Sequence, residues 1–266
     1  MTVLAAGAAT ALGGCATARV DAVAPSALPS TNPMSPIPTP VAQSTAMQVP
    51  PPDVARKVRV PSGTLTALPG TGRHLALTVD DGASSDVVGA YIRFARDTGA
   101  RFTFFVTGSF DSWTDHQVQL RPLVESGQIQ LGNHTWTHSD LTSLSAAGVA
   151  DELTRCKRFL HNRFGVDGTP FFRPPYGYHN ATVDAVAADL GYLTPVLWFG
   201  SLSDSGVITE KYLVQCARRY FHPQTVIIGH ANHPPVTHVY PQLVEIIRER
   251  RLNMVTLDDY FATRRT

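Results

Sequence analysis

Between Leu75 and Thr256 the apolar positions switch repeatedly between a period of two and a helical period. Leu75-Ala76-Leu77-Thr78-Val79 reads as a buried strand that runs into Asp80-Asp81-Gly82. The spacing then predicts a helix over 86–97, with Val87, Val88, Tyr91, Ile92 and Phe94 apolar and Gly99 closing it. A strand follows over 102–106, a helix over 116–125, and a short strand over 129–131 that leads to Gly132-Asn133-His134. The longest helix spans 144–164, capped by Ser143 or Ser145. Beyond it come a strand over 170–173, a helix over 181–190 and a strand over 192–198. A helix over 210–220, a strand over 225–229, a helix over 241–251 and a strand over 253–256 complete the series.

Repeated strand–helix units imply parallel strands covered by helices, an α/β fold. About seven such units in roughly 200 residues fit a short, incomplete (β/α) barrel better than an open doubly wound sheet. No Gly-x-Gly-x-x-Gly follows the first core strand, so a dinucleotide site is not supported.

Ahead of this pattern the composition changes. Residues 21–61 are rich in Pro, Ser, Thr, Ala and Val with no hydrophobic period, and read as a disordered, proline-stiffened spacer. The folded domain is then expected over 62–266, its first residues falling between 56 and 62. Residues 1–20 read as an export leader of small, mildly apolar residues. Leu12-Gly13-Gly14-Cys15 resembles the bacterial lipoprotein processing box, although no Lys or Arg lies between Met1 and Cys15. A lipid on Cys15 would tether the protein to a membrane outside the cytoplasm, in the cell envelope; without it the protein would be secreted. The alternative is an unstructured Ala/Gly-rich leader.

A formal net charge of +1 argues against a nucleic-acid partner, and no apolar run reaches membrane-spanning length. The three cysteines, Cys15, Cys156 and Cys216, form no Cys-x-x-Cys, so a structural zinc site is not expected. A Cys156–Cys216 disulfide is open in an oxidising compartment. The chain is read as a monomer.

In a barrel of βα units, chemistry gathers at the C-terminal ends of the strands. Asp80-Asp81, His134, Arg173, Trp198 and His230 all fall there. Each also has a plain reading: Asp81-Gly82 as a turn, Arg173 in a surface salt bridge, Trp198 and His230 as core. Two adjacent carboxylates repel unless a cation, a proton or an arginine lies between them. His134 and His138, four apart, would share a face on one helical turn and so reach one ion. Two imidazoles and a carboxylate leave a zinc-like ion an open position, the pattern of a catalytic site.

Thr78-Val79-Asp80-Asp81-Gly82, the His134…His138 pair, Arg173-Pro174-Pro175-Tyr176 and Ile227-Ile228-Gly229-His230 resemble, in order, the motifs of the NodB-homology polysaccharide deacetylases, carbohydrate esterase family 4. The resemblance runs from about Leu75 to Thr256. It implies a distorted (β/α) barrel, one divalent metal ion (zinc, with cobalt as the other choice) and removal of acetyl groups from polysaccharides. It implies Asp80 as general base, Asp81, His134 and His138 as metal ligands, and Arg173 as the partner of Asp80. It further implies the Tyr176 backbone N–H at the oxyanion, Trp198 in the leaving-group pocket, and His230 as general acid. Asp204 falls where the family often has an acid that steadies the histidine or arginine. The sequence departs from the family pattern in three places. Val79 replaces the usual Phe, Ser205 follows Asp204 where Trp is usual, and Ala231 follows His230 where Asp is usual.

Three functions follow from these readings. The first is an N-deacetylase acting on GlcNAc or MurNAc units of peptidoglycan or on a chitin-like glycan. The second is an O-acetyl esterase of the xylan type. The third is a non-catalytic glycan-binding lipoprotein.

Overall fold

The alternation along β2 decides the architecture, because it sorts the strand's side chains onto two faces. The computed structural model describes residues 48–49 and 56–262, all within the unit Ala42–Thr266. In chain order its first elements are β1 (Val58–Arg59), β2 (His74–Asp81), α1 (Ser85–Thr98), β3 (Phe102–Val106), α2 (Ser112–Asp115) and α3 (Gln117–Glu125). Then come β4 (Ile129–Asn133), α4 (Ala146–Phe164), β5 (Phe171–Phe172), α5 (Ala181–Asp189), β6 (Thr194–Pro195) and β7 (Gly200–Ser201). The last are α6 (Glu210–Tyr220), β8 (Thr225–His230), α7 (Tyr240–Glu249), β9 (Asn253–Met254), α8 (Leu257–Tyr260) and β10 (Phe261–Ala262).

Seven parallel strands pair in the order β6-β5-β4-β3-β2-β8-β7, and β9 pairs with the foot of β2. The edge strands β6 and β7 are neighbours in the chain. Laid flat, seven strands would put those edges about 29 Å apart. The five Cα steps from Pro195 to Gly200 reach about 19 Å at most. The sheet therefore curls into a half-barrel. Leu65 helps to close the gap, accepting from the Leu197 N–H at 2.8 Å and donating to the Pro195 carbonyl at 2.9 Å.

Leu75, Leu77 and Val79 point outward and pack against Val88, Tyr91 and Ile92 of α1. Ala76 points inward and meets Phe105, Phe171 and Val226. Thr78 and Asp80 continue that inward row. On the neighbouring strands the same parity leads from Gly132 to His134, from Phe171 to Arg173, and from Ile228 to His230. One inward face thus ends in all four polar groups. Gly132 keeps this layer packed: a Cβ there would lie 2.6 Å from the Phe105 ring.

Helix ends follow local chemistry. Ser84 caps α1 by accepting from the Val87 N–H, and Gly99 closes it at φ 75. Ser145, the second of the two candidates, caps α4 by accepting from the Gly148 N–H.

Several sequence expectations need correction. The helix expected over 116–125 is α3, but a four-residue helix not anticipated, α2, precedes it and meets it at His116. The strand expected over 192–198 is the two-residue β6, and β7, not anticipated, follows it. The stretch read as spacer gives three pieces to the fold. Gln48 Nε2 donates to Asp97 O at 2.8 Å, and the buried Val49 donates from its N–H to Thr98 O at 3.0 Å. β1 pairs in parallel with β10 beneath the barrel. Val49, Val58 and Val60 are isolated apolar residues with no period, so the pattern could not show that they dock. The leader over 1–20 and Cys15 lie outside the described residues. Among the described residues no helix is long and apolar enough to cross a membrane.

Candidate active site and metal centre

The turn after β2 breaks the strand's alternation. Asp81 adopts φ 73, in the left-handed region that a non-glycine residue enters only under constraint. Its carbonyl accepts from Trp113 Nε1 at 3.1 Å and from the Thr107 N–H at 3.2 Å. Trp113 lies so close over Gly82 that a Cβ there would come within 2.4 Å of its ring. This conformation turns Asp81 back toward the inward row, so both carboxylates of the pair face one cleft.

His134 and His138 do come together, but not on a helical turn. They belong to a loop in which Thr135 and His138 have φ 71 and 61. Buried Glu152 of α4 holds that loop: its carboxylate accepts from the Trp136 and Thr137 N–H groups at 2.9 and 2.8 Å and from the Thr137 hydroxyl at 2.8 Å. Asn133 Oδ1 accepts from the Thr135 N–H at 2.8 Å, and Asn133 Nδ2 donates to the Leu153 carbonyl. Backbone wound this way needs partners for N–H groups that a helix would satisfy itself.

His134 donates from Nδ1 to the Arg173 carbonyl at 2.7 Å, so in the neutral ring Nε2 carries the lone pair. That Nε2 lies 3.3 Å from Asp81 Oδ1, and His138 Nε2 lies 3.2 Å from the same oxygen. Asp81 Oδ1 is buried and has no hydrogen-bond donor. The three ligand atoms fall within 4.8 Å of one another. Burial pushes the Asp81 carboxyl up, but His134, His138 and Asn232 outweigh it and hold its pKa well below the usual carboxylate range. Burial pushes His134 down, and Asp80 and Asp81 more than reverse that. Burial and the neighbouring His134 lower His138. Buried lone pairs converging on an orphan carboxylate oxygen suit a divalent cation, and this donor set fits one.

Asp80 stands beside this group in a different environment. Its Oδ1 accepts from Arg173 Nη1 at 2.5 Å, and its Oδ2 is 3.6 Å from His134 Nε2. Arg173 is fully buried over the Phe105 ring and is pinned by donating to the Val196 and Leu197 carbonyls. The surface salt-bridge reading of Arg173 therefore fails.

His230 faces the pair from the other side. Its Nδ1–H donates to Asp204 Oδ1 at 3.0 Å, and its backbone N–H donates to Asp204 Oδ2 at 3.2 Å. Asp204 is buried, and its partner is the histidine, not the arginine. Burial lowers the His230 pKa, but the Asp204 hydrogen bond and the charges of Asp80, Asp204 and Asp81 leave it raised. The residue after His230 is the fully buried Ala231, whose N–H donates to Asp80 O at 2.9 Å.

Asp80, Asp81, His134, His138 and His230 line a cleft of about 550 Å³, walled by Phe110, Pro174, Trp198, Ser201, Ser205 and Ile228, with Arg173 and Asp204 behind them. Tyr176 has φ 59 and an exposed ring 4.8 Å from that of His138. Trp198 is half-buried on the wall, not in the barrel core.

Glu152, Asn133, Trp113 and Asn232 were not read from the sequence as site residues. Glu152 left one signal: it falls on the buried stripe of α4 with Val149, Leu153 and Cys156, an unusual place for a carboxylate. Cys156 and Cys216 are free and buried, so the disulfide left open by the sequence is not formed. Each is taken up by its own surroundings, Cys156 Sγ donating to the Val106 carbonyl and Cys216 Sγ to the Ser203 hydroxyl.

A polysaccharide deacetylase family profile matches residues 67–195. An uncharacterized protein of Streptomyces coelicolor is 31% identical over 189 residues, covering 69% of this chain and 71% of that protein. The chain belongs to the polysaccharide deacetylase family, carbohydrate esterase family 4. Peptidoglycan-N-acetylglucosamine deacetylase PgdA of Listeria monocytogenes is 26% identical over 72% of this chain, which spans only 39% of PgdA. A family 4 carbohydrate esterase from Streptomyces lividans, solved with acetate, superposes with a TM-score of 0.61 at 27% identity, over 70% of this chain and 93% of that one. The fold is also that of a Bacillus anthracis pseudoenzyme of this esterase family, at TM-score 0.66 and 17% identity, over 76% of this chain and 72% of that one. The family profile ends at residue 195, before Asp204 and His230, so that half of the site rests on this chain's own geometry.

Proposed function

We propose that the protein is a metal-dependent hydrolase that removes N-acetyl groups from an envelope polysaccharide, GlcNAc or MurNAc units of peptidoglycan or a chitin-like glycan. The observation that carries this reading is the orphan Asp81 Oδ1 between two imidazole Nε2 atoms, with Asp80–Arg173 on one side and His230–Asp204 on the other. Similarity to PgdA supports the substrate class.

Amide hydrolysis needs an activated water, a stabilised oxyanion and a proton for the departing amine. A divalent cation held by Asp81, His134 and His138, zinc or else cobalt, would polarise the acetyl carbonyl and lower the pKa of water from about 15.7 toward about 7. Asp80, fixed by Arg173, takes the water's proton as general base. The Tyr176 backbone N–H donates to the oxyanion. His230, held through Nδ1 by Asp204, presents Nε2 to the leaving nitrogen and gives it a proton. Trp198 packs against the sugar beside the acetyl group.

The test is acetate release by the purified protein from peptidoglycan, chitooligosaccharides and acetylated xylan, after chelation and after zinc or cobalt is added back. The proposal expects metal-dependent release from an N-acetylated glycan. Release from acetylated xylan alone would replace it with an O-acetyl esterase. No release from any of the three, with metal bound, would leave a glycan-binding protein. The proposal includes a monomer acting outside the cytoplasm, lipid-anchored through Cys15. Comparing membrane fractions of wild type and Cys15→Ser tests the anchor.

A further inference from the structure

Asn232 stands two residues past the end of β8, half-buried, with its side chain inside the turn that follows β2. Its Nδ2 donates to Asp81 Oδ2 at 2.7 Å, and its Oδ1 accepts from the Ala83 N–H at 3.1 Å. One amide thus grips both the carboxylate and the backbone that carries it. The pairing of β2 with β8 continues around this grip, since the Ser84 N–H donates to the Ala231 carbonyl at 3.1 Å.

We infer that Asn232 is a positioning residue for Asp81: by occupying Oδ2 it fixes the carboxylate's rotation and leaves Oδ1 to face the Nε2 atoms of His134 and His138. This rests on reading those three side chains as a divalent-metal site. The terminal torsion of an aspartate is broad and roughly two-fold, so a free carboxylate does not hold one oxygen toward an ion. Asp81 is held at both ends. Trp113 and Thr107 fix its carbonyl, and Asn232 fixes its far oxygen. The residue type follows from the two bonds. A primary amide donates to a carboxylate through nitrogen and accepts from an N–H through oxygen at once. An aspartate cannot donate when ionised, and a serine is too short to bridge both groups. Outer partners of this kind orient metal-ligating carboxylates, and their loss weakens metal binding by about 10–100-fold.

The experiment measures zinc affinity of the full chain by competition with a chromophoric chelator, for wild type, Asn232→Ala and Asn232→Ser. Thermal unfolding of each metal-free protein and acetate release across a zinc titration accompany it. Both variants are expected to bind zinc about 10–100-fold more weakly than wild type. Their metal-free melting is expected to match wild type, and their acetate release to recover as zinc is raised. A merely structural role would lower the melting temperature and would not be rescued by zinc. Wild-type zinc affinity in both variants overturns the inference and leaves the metal site standing. Wild-type protein without zinc affinity overturns both together.

Discussion

His230 and Asp204 set the protonation that the proposed chemistry needs at the leaving nitrogen. Asp204 accepts from both Nδ1 and the backbone N–H of His230 and helps to raise the imidazole's pKa against the effect of burial. A general acid works while protonated, so activity falls as pH rises through that raised value. The alkaline limb of kcat/KM should therefore lie above the ordinary imidazole range of about 6.5. Asp204→Asn removes one of the charges that oppose burial, leaving only those of Asp80 and Asp81, so the limb should move to lower pH. A pH profile of kcat/KM for both proteins checks this, and an unmoved limb would exclude His230 as the titrating acid. The neighbouring turn offers a second test at a single atom. Gly82 has φ 98 and the Trp113 ring against it. Gly82→Ala brings a Cβ into that ring and into an unfavourable backbone region, and should cost about 1–3 kcal/mol in urea denaturation. A neutral result would mean that Trp113 can move away.

At the scale of elements, the loop between β4 and α4 carries two proposed ligands, yet its shape comes from a helix. Glu152→Ala leaves the Trp136 and Thr137 N–H groups without their acceptor. It should destabilise the fold by about 1–3 kcal/mol and weaken zinc binding, whereas Glu152→Gln keeps an acceptor oxygen and should do less of both. Chemical denaturation with a zinc titration checks the order. Sequence pattern was enough to place His134, because parity along β4 carries it to the inward face two residues past Gly132. The same reading failed at His138. Spacing of four suggested a helical turn, and nothing local announced that a buried carboxylate in the next helix would wind the backbone left-handed. Short strands were read too long for a related reason: the apolar run over 192–198 includes Trp198, which lines the cleft without pairing in β6. For Asp204 the order of motifs leaves the histidine and the arginine both open as its partner, and only the packing of β7 against β8 shows that it holds His230.

For the whole molecule, the barrel makes the site by bringing one pleat parity from β2, β4, β5 and β8 to a common rim. Its foot is closed from both ends of the described chain. β1 pairs with β10, and Val58 and Val60 pack on the cluster that contains Leu257 and Phe261. A chain starting at residue 62 loses this cover along with Gln48 and Val49, while one starting at residue 47 keeps it. The shorter chain should melt at a lower temperature, and equal melting by calorimetry would show that the N-terminal pairing contributes nothing. Composition could not reveal this cover, because proline-rich sequence hides two-residue strands. The proposed mechanism divides two adjacent carboxylates across this rim, Asp80 as base and Asp81 as metal ligand. It is tested most directly by measuring bound zinc and acetate release on the same preparations of Asp80→Asn and Asp81→Asn. The predicted result is about one zinc per chain in Asp80→Asn with activity lowered by about 10²–10⁴, and little zinc in Asp81→Asn. An Asp80→Asn protein that loses its zinc, or one that keeps its activity, would contradict the assignment.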